Sequence, residues 1–334
     1  MRGSFGRFEK EWRNRMEGKR GMGFKNKRSV GGAPNMKNNK SKLFAMCFVL
    51  ILLGTSTLPQ ETLSASQKSF LWKIQSKTNT VYVLGSLHYC KKEIYPLSEK
   101  IGKAFTESEI LVVEADVSDI KKIDIQELIE RAFYPGNDAL EKHVSPEIYE
   151  WVVKEADGLG IPVELLNRQK PWFLAITLVA LESLKLGFDP NLGIDKYFLS
   201  KAEGGKEILE LESLDYQLNL LSSFSDKDQE LFLLYTLKDL KILEQELGKL
   251  TQAWSSGDTK AMESIVTRSV SEDKRLSSVF EKVLYERNRK MASRIEDFLK
   301  TKKTYFVIIG AGHLVGSRGI VEILKGKGFL VEQL

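Results

Sequence analysis

The apolar and polar positions of the chain first show a strand-like pattern near residue 70. Two apolar runs, 70–74 and 80–84, flank the turn-forming cluster 76–79 and predict a β-hairpin that opens a domain. Pro96 begins a helical pattern, and the continuous apolar run 109–115 predicts a buried strand. Together these segments predict a β-α-β unit.

The middle of the chain, from about 120 to 300, has mostly helical periodicity. Ser145 and Pro146 indicate a helix start, leucines repeat at helical spacing over 226–247, and the run 206–211 predicts one short strand. A strong strand at 305–309, a glycine-rich turn, a helix at 315–325 and a last strand at 329–332 follow. The pattern predicts an α/β fold with a central mixed, mostly parallel sheet, flanking helices and a large helical insert.

Charge divides the chain into two unequal parts. Residues 1–66 carry 13 Lys or Arg and four Asp or Glu, which leaves 37 basic and 41 acidic residues of the 50 and 45 in the whole chain. The basic excess therefore belongs to the leader, and nothing in the remaining 67–334 favours a nucleic-acid partner. We expect a single large domain over 67–334.

The leader has the order of a secretory signal. Lys40 and Lys42 precede the uncharged run 43–53, and small residues follow at 64–66. Eleven apolar residues are fewer than the ~20 that span a bilayer, so we expect cleavage between about Ser56 and Ser66 and export to the periplasm or the medium. An uncleaved signal that anchors the protein in the membrane is the alternative. Met36 is the better start, because a leader from there has ordinary proportions.

Three candidate site residues stand at the ends of predicted strands. His88 follows the strand 80–84, Glu114 ends the strand 109–115, and His313 follows the strand 305–309. In a mostly parallel sheet, functional side chains collect beyond the carboxyl ends of the strands. Two of the chain's three histidines thus lie in Gly-x-x-His motifs directly after strands, which favours one shared site.

These residue types suit two kinds of chemistry. Two neutral imidazoles and a carboxylate are a usual set for Zn²⁺ or a similar divalent ion (Zn, Mn or Co), with an open position for water. Without a metal, the same groups can activate water by general base catalysis. The glycines of the motifs, Gly85, Gly310 and Gly312, are expected to adopt positive φ and to allow close backbone approach, so that each histidine lies at a sharp turn.

Other polar residues have simpler interpretations. His143, in a polar helix-entry segment, is expected at the surface. Cys90 has the spacing of a nucleophile or soft ligand near His88, but a small buried residue is the favoured interpretation. With Cys47 in the leader, Cys90 has no partner for an intrachain disulfide. The glycines at 310–316 resemble a dinucleotide loop, but too few residues follow to supply the expected acid, so nucleotide binding is rejected.

The segment 70–118 resembles the opening of the TraB/GumN family, which is related to the Tiki proteins and more distantly to erythromycin esterases and ChaN-like proteins. Later segments resemble the family's remaining signatures in order, and the likeness covers about 70–334. These segments are Gly193-Ile194-Asp195-Lys196-Tyr197, Leu211-Glu212, Gln217, Arg287-Asn288 and Gly310-Ala311-Gly312-His313-Leu314. In the first motif Ser86 stands where many bacterial relatives have Thr, and the hydroxyl is kept.

The resemblance implies roles for single residues. His88 and His313 would be the paired histidines and Glu114 the carboxylate of the active site. Arg287 and Asn288 would lie on a long helix that faces it. Arg287 is then either an oxyanion or carboxylate clamp or a solvated charge. Glu212 is either an acid supporting the site or a charge at a strand end.

The resemblance leaves the reaction open, because Tiki-like relatives are linked to metal-dependent proteolysis and erythromycin esterases to metal-independent ester hydrolysis. Our first hypothesis is a hydrolase that attacks a peptide or a small ester or amide with a water held at His88, Glu114 and His313. The second is a module that binds a peptide or small ligand without turnover, as in peptide-pheromone control. Membrane contact is expected only through an uncleaved signal.

Overall fold

A computed structural model of the protein describes residues 68–116 and 124–334. The leader expected at 1–66 and the first residues of the expected helical insert lie outside this described part. Within it, no helix combines the length and apolar character needed to cross a bilayer.

Six strands form one mixed sheet in the order β4-β3-β5-β2-β1-β6. Neighbouring pairs among β2, β5, β3 and β4 are parallel, whereas β1 is antiparallel to both β2 and β6. The predicted α/β class with a mixed, mostly parallel sheet is confirmed. The strands are Leu71–Gln75 (β1), Thr80–Ser86 (β2), Ile110–Val113 (β3), Glu207–Glu210 (β4), Tyr305–Gly310 (β5) and Leu330–Gln333 (β6).

Burial explains why the central strands were recognisable in the sequence. Every residue of β3 is buried, and all of β5 is buried except its last residue. Continuous apolar runs of this kind are typical of parallel strands that helices cover on both faces. The β1–β2 hairpin closes through the side chain of Ser76, whose hydroxyl accepts from the Asn79 backbone N–H and donates to the carbonyl of Leu299.

Twelve α-helices accompany the sheet in the described part of the chain, and one π-helical turn, Glu281–Glu286, leads directly into α11. The α-helices are Glu99–Glu107 (α1), Ile125–Ala132 (α2), Pro146–Leu159 (α3), Pro171–Lys185 (α4), Ile194–Ala202 (α5), Leu214–Ser222 (α6), Asp226–Leu240 (α7), Leu243–Ser256 (α8), Thr259–Glu272 (α9), Ser277–Phe280 (α10), Arg287–Phe298 (α11) and Ile320–Gly326 (α12).

Two predicted helices differ from the observed ones for local backbone reasons. The leucine-rich stretch 226–247 is divided between α7 and α8, because Ile242 leaves the helical conformation with φ −122°. The helix expected at 315–325 begins only at Ile320, because Gly316 adopts φ +81° in the left-handed region. Left-handed backbone ends a helical turn and favours glycine.

The insert between β3 and β5 has an apolar core of its own. Side chains from α3, α4 and α7, including Val152, Leu174, Leu178 and Leu233, are completely buried there. This second core holds the helices as a unit separate from the layers that cover the sheet. Three helices of the insert, α5, α6 and α11, bring side chains to the carboxyl ends of β2, β3 and β5, as the contacts below show.

Candidate active site

The carboxyl ends of three adjacent parallel strands meet at one edge of the sheet. In the register of the sheet, Ser86 at the end of β2 lies opposite Gly310 at the end of β5, and Val113 at the end of β3 lies opposite Ile308. His88, Glu114 and His313 follow these ends within one to three residues. The topology therefore places the three predicted site residues at the same edge.

Gly310 lies at the point where the three side chains meet. A Cβ atom built on Gly310 would be 3.3 Å from Oε2 of Glu114, 3.4 Å from Cδ2 of His313 and 3.9 Å from Nε2 of His88. The separation of any two of these atoms cannot exceed the sum of their two distances, which is below the ~8 Å that side-chain rotation could close. The absence of a side chain at Gly310 keeps the space between the three groups open.

The expectation of positive φ at the motif glycines is wrong. Gly310 has φ −46°, and neither Gly85 nor Gly312 is among the glycines with positive φ. Close approach is the reason for glycine instead: a Cβ on Gly85 would lie 2.5 Å from the ring of Phe70, and one on Gly312 would lie 3.2 Å from Val266. Any larger residue would have to displace these neighbours.

His313 is buried and its tautomer is set by Asn288. The Asn288 amide nitrogen donates to the Arg318 carbonyl, so its oxygen accepts from Nδ1 of His313 at 2.6 Å. In the neutral ring, Nε2 then carries the lone pair, and it lies 3.9 Å from Oε1 of Glu114. Asn288 thus determines both the orientation and the tautomer of His313.

His88 lies in a more open environment and has a charged partner. Its Nδ1 is 3.1 Å from Oδ1 of Asp195, in the first turn of α5, and 57% of its side chain is exposed. A Cβ on Gly193 would lie 2.6 Å from the His88 carbonyl oxygen, so the close approach of α5 to this turn requires glycine. Asp195 therefore orients the ring with Nε2 on the side of Glu114 and Gly310.

Glu114 is held by three donors from different parts of the fold. The Gly310 backbone N–H donates to Oε2 at 2.9 Å, and Gln217 of α6 and Arg287 of α11 donate to Oε1. Arg287 also pairs with Glu212 at 2.8 Å, and its own residue exposure is only 9%. The interpretation of Arg287 as a solvated charge is thus excluded; this guanidinium is a buried clamp on two carboxylates.

The surroundings move the pKa values of the two histidines in opposite directions. For His313, burial together with the charges of Arg287 and His88 lowers the pKa to about 4. For His88, burial also lowers the pKa. The hydrogen bond and charge of Asp195 and the charge of Glu114 outweigh this effect and raise the pKa. Water reaches the exposed part of the His88 ring and screens part of this attraction.

The Glu114 carboxylate stays ionised. Burial alone would raise its pKa, but the charges of His313, Arg287 and His88 lower the pKa to about 2. Because His313 is neutral above its own pKa of about 4, Arg287 and the protonated His88 supply the positive charge in this balance at neutral pH. Glu114 is therefore a poor base and a good electrostatic partner.

A cavity of about 260 Å³ opens onto this sheet edge. Its lining includes Ser86, His88, Tyr89, Glu114, Asp195, Lys196 and Gln217. His313 and Arg287 lie behind this lining and contact it through Glu114. A volume of this size accommodates a few residues of a peptide or a small ester.

The family of the chain is shown by its similarity to a known protein family. The family model for the TraB/PrgY/gumN family matches residues 70–333. The chain belongs to the TraB/PrgY/gumN family. No solved structure matches the chain.

The relatives of this chain include uncharacterized bacterial proteins and a metalloprotease. The uncharacterized protein YbaP of Escherichia coli (strain K12) is 25% identical over 73% of this chain and 87% of its own length. An uncharacterized protein of Treponema pallidum (strain Nichols) is 23% identical over 85% of this chain and 90% of its own. Metalloprotease TIKI1 of Danio rerio is 24% identical over 87% of this chain and 70% of its own. Metalloproteases are thus known at family level.

The names of these relatives raise the question of whether the site residues fit a metal ion. Two imidazole Nε2 atoms and a carboxylate are suitable donor types. Their placement does not fit: Glu114 is already occupied by Arg287, Gln217 and Gly310. Moreover, the described residues contain no group of three or more His, Cys, Asp or Glu side chains placed to hold a metal.

Sequence reasoning missed the roles of Asp195 and Gln217. Both lie in segments whose sequence resembles signatures of the family, but they contact His88 and Glu114 across more than 100 residues of chain. The available signal was the pattern Gly193-Ile194-Asp195, in which a carboxylate enters the first turn of a helix directly after glycine. Asn288 was recognised, although its hydrogen bond to His313 was not.

The remaining polar residues of interest lie elsewhere or have structural roles. His143 is exposed, stacks on Tyr134 and bonds Asp138 at 2.8 Å, away from the site. Cys90 is buried and makes a long contact with the Leu87 carbonyl, and burial raises the pKa of its thiol. A buried thiol of raised pKa is a weak nucleophile.

Proposed function

We propose that this chain is an exported hydrolase that cleaves a peptide or a small ester or amide with a water activated by His88. One observation carries the proposal: each histidine is oriented through Nδ1 by a different helix, so that the Nε2 side of both rings faces Glu114 next to an open cavity. Such orientation by a second side chain is typical of catalytic imidazoles.

In the proposed step, the neutral His88 ring takes a proton from water at Nε2 while the water oxygen adds to the carbonyl carbon of the substrate. The same proton then passes to the leaving nitrogen or oxygen, which departs as an amine or an alcohol and leaves a carboxylic acid. Asp195 stabilises the intermediate imidazolium through its 3.1 Å contact with Nδ1. Glu114, fixed by Arg287, adds negative charge beside that imidazolium.

The names of the TIKI relatives favour a second route for the same hydrolysis. In it, His88, Glu114 and His313 would hold a divalent ion such as Zn, Mn or Co, but only in a rearranged site in which Glu114 is free of the donors that occupy it here. Such an ion would lower the pKa of a bound water. The two routes share the residues but differ in whether a metal is required.

The test is a cleavage screen with metal-stripped protein and defined libraries of N-acetyl peptides and short esters. We expect new carboxylic acids, detected by mass spectrometry, in the absence of added metal. A more than tenfold stimulation by Mn²⁺, Co²⁺ or Zn²⁺ would contradict the metal-free route and support the second one. Retention of library members without any cleavage would contradict the hydrolase and favour a binding module.

Export is proposed from the leader sequence alone. The expected mature N-terminus lies between about Ser56 and Ser66, and mass spectrometry of the secreted or periplasmic protein measures it directly. An exported form that still begins upstream of residue 43 would show that the signal is retained.

A further inference from the structure

The cavity beside His88 contains donors that have nothing to bind. Its carboxylates are all engaged: Glu114 by Arg287, Gln217 and Gly310, and Asp195 by His88. By contrast, the Ser86 and Tyr89 hydroxyls have no hydrogen-bond partner among the residues that the structure describes, although both residues line the cavity and Ser86 is 3% exposed. Unmet donors at a site indicate what its ligand must supply.

Lys196 is the charged member of this donor set. It lies in the first turns of α5, next to Asp195, and lines the same cavity. Its ammonium group donates to the neutral amide oxygen of Asn191 at 3.1 Å, and no carboxylate in the described part of the chain pairs with it. A cation with only an amide oxygen as partner retains most of its electrostatic attraction for an anion.

The two sides of the cavity therefore differ in charge. On the Glu114 side, the cation Arg287 is neutralised by two carboxylates. On the Lys196 side, the positive charge is open, and the hydroxyl of Tyr89, which lines the same cavity, is an additional donor. A substrate that matches this cavity has acceptors and a negative charge on the Lys196 side of the bond that His88 attacks.

We propose that the substrate has a carboxylate close to the scissile bond and that Lys196, assisted by Tyr89, recognises it. This inference rests on the proposed function, since it names the substrate class of the same site. The carboxylate could be the C-terminus of a peptide or an acidic side chain; both present the same group to Lys196, and the test separates them.

The experiment measures binding, so it does not depend on turnover. Three pools of N-acetyl tetrapeptides are used: free C-terminal acids, C-terminal carboxamides, and carboxamides that contain Asp or Glu. Affinity selection with mass spectrometry compares protein with His88→Asn, which removes Nε2 but keeps a donor for Asp195, the double variant with Lys196→Ala added, and a control with Lys201→Ala added. Lys201 is on the same helix, is exposed, and lies over the Tyr197 ring rather than in the cavity.

We expect one acidic pool to bind at least about tenfold more tightly than the neutral carboxamides, in line with a hydrogen bond between charged groups. Lys196→Ala should remove this preference, Lys196→Arg should restore it, and Lys201→Ala should leave it unchanged. Equal binding of the three pools, or a preference that survives Lys196→Ala, would overturn the inference. Preference without cleavage by the wild type would instead refute the hydrolase and leave the anion subsite standing.

Discussion

The two turns share the Gly-x-x-His pattern but differ in their chemistry. At the first turn, His88 is 57% exposed and is paired with a carboxylate, Asp195. At the second, the His313 side chain is 9% exposed and is paired with a neutral amide, Asn288. One ring is therefore stabilised as a cation and the other is kept neutral. The motif determines where each histidine lies, and the helices of the insert determine what it can do.

Removal of either imidazole is expected to have the largest effect on activity. His88→Ala and His313→Ala should each lower kcat/KM for hydrolysis by about 10²- to 10⁴-fold, because His88 is the proposed base and His313 lies 3.9 Å from Glu114, the carboxylate beside that base. His143→Ala, which changes a histidine outside the site, should leave kcat/KM unchanged. The comparison predicts one difference: only His313→Ala should also lower the free energy of unfolding, because only that ring is buried.

The buried ion pairs of Arg287 with Glu114 and Glu212 should contribute chiefly to stability. Arg287→Met leaves Glu114 and Glu212 close together without their shared cation, which should cost about 3–5 kcal/mol in the free energy of unfolding. Urea denaturation followed by circular dichroism measures the change. Arg289→Met is the matched control, since that arginine is exposed and pairs with Glu281 at the surface; it should change stability by less than about 0.5 kcal/mol. Equal effects of both substitutions would contradict the buried clamp.

Substitution of the hydrogen-bond partners of the two histidines should affect activity at one turn and stability at the other. Asp195→Asn should reduce kcat/KM roughly a hundredfold with little change in stability, because the His88 ring loses its orienting charge but remains solvated. Asn288→Ala should cost about 1–3 kcal/mol in stability, because the Arg318 carbonyl and His313 Nδ1 lose a buried partner. Thermal unfolding measures the stability of the two variants, and the cleavage assay measures their kcat/KM. The same stability loss at both positions would remove the distinction between the turns.

Substitution of the motif glycines should have the smallest effects, with Gly85→Ala changing stability and Gly310→Ala changing activity. Gly85→Ala should lower stability by about 1–3 kcal/mol, because its Cβ would collide with the Phe70 ring. Gly310→Ala has a milder contact, 3.3 Å from Oε2 of Glu114, but its methyl group occupies the space between the site residues. We expect roughly a tenfold loss of kcat/KM with little change in melting temperature. A reversed pattern would mean that Gly310 does not border the reacting space.

The sequence was sufficient to predict a mixed, mostly parallel sheet and the positions at which its central strands end. The apolar runs of β3 and β5 are buried on both faces, so these strands can be predicted without any knowledge of their neighbours. Helix boundaries were less predictable, because single residues such as Ile242 and Gly316 end a helical turn inside a pattern that otherwise continues. The start at Glu99 rather than Pro96 is a shift of the same kind.

The chemistry of the site required tertiary contacts that no local pattern contains. Asp195 and His88 are 107 residues apart, and Arg287 and Glu114 are 173 residues apart. In the sequence, Arg287 is one of several basic residues on α11, and only packing against Glu114 and Glu212 distinguishes it from Arg289. The residue types were predictable; their pairing, and hence their protonation, was not.

The central claim is that His88, oriented by Asp195, is the base of a hydrolytic site, and the pH dependence of kcat/KM tests it most directly. Burial and Arg287 lower the pKa of His88, but Asp195 and Glu114 outweigh them and raise it, so the neutral base forms only above the ordinary histidine range. Wild-type activity should therefore rise with pH above that range, and in Asp195→Asn the rise should move to lower pH. Superimposable profiles for the two proteins, at any level of activity, would contradict the account.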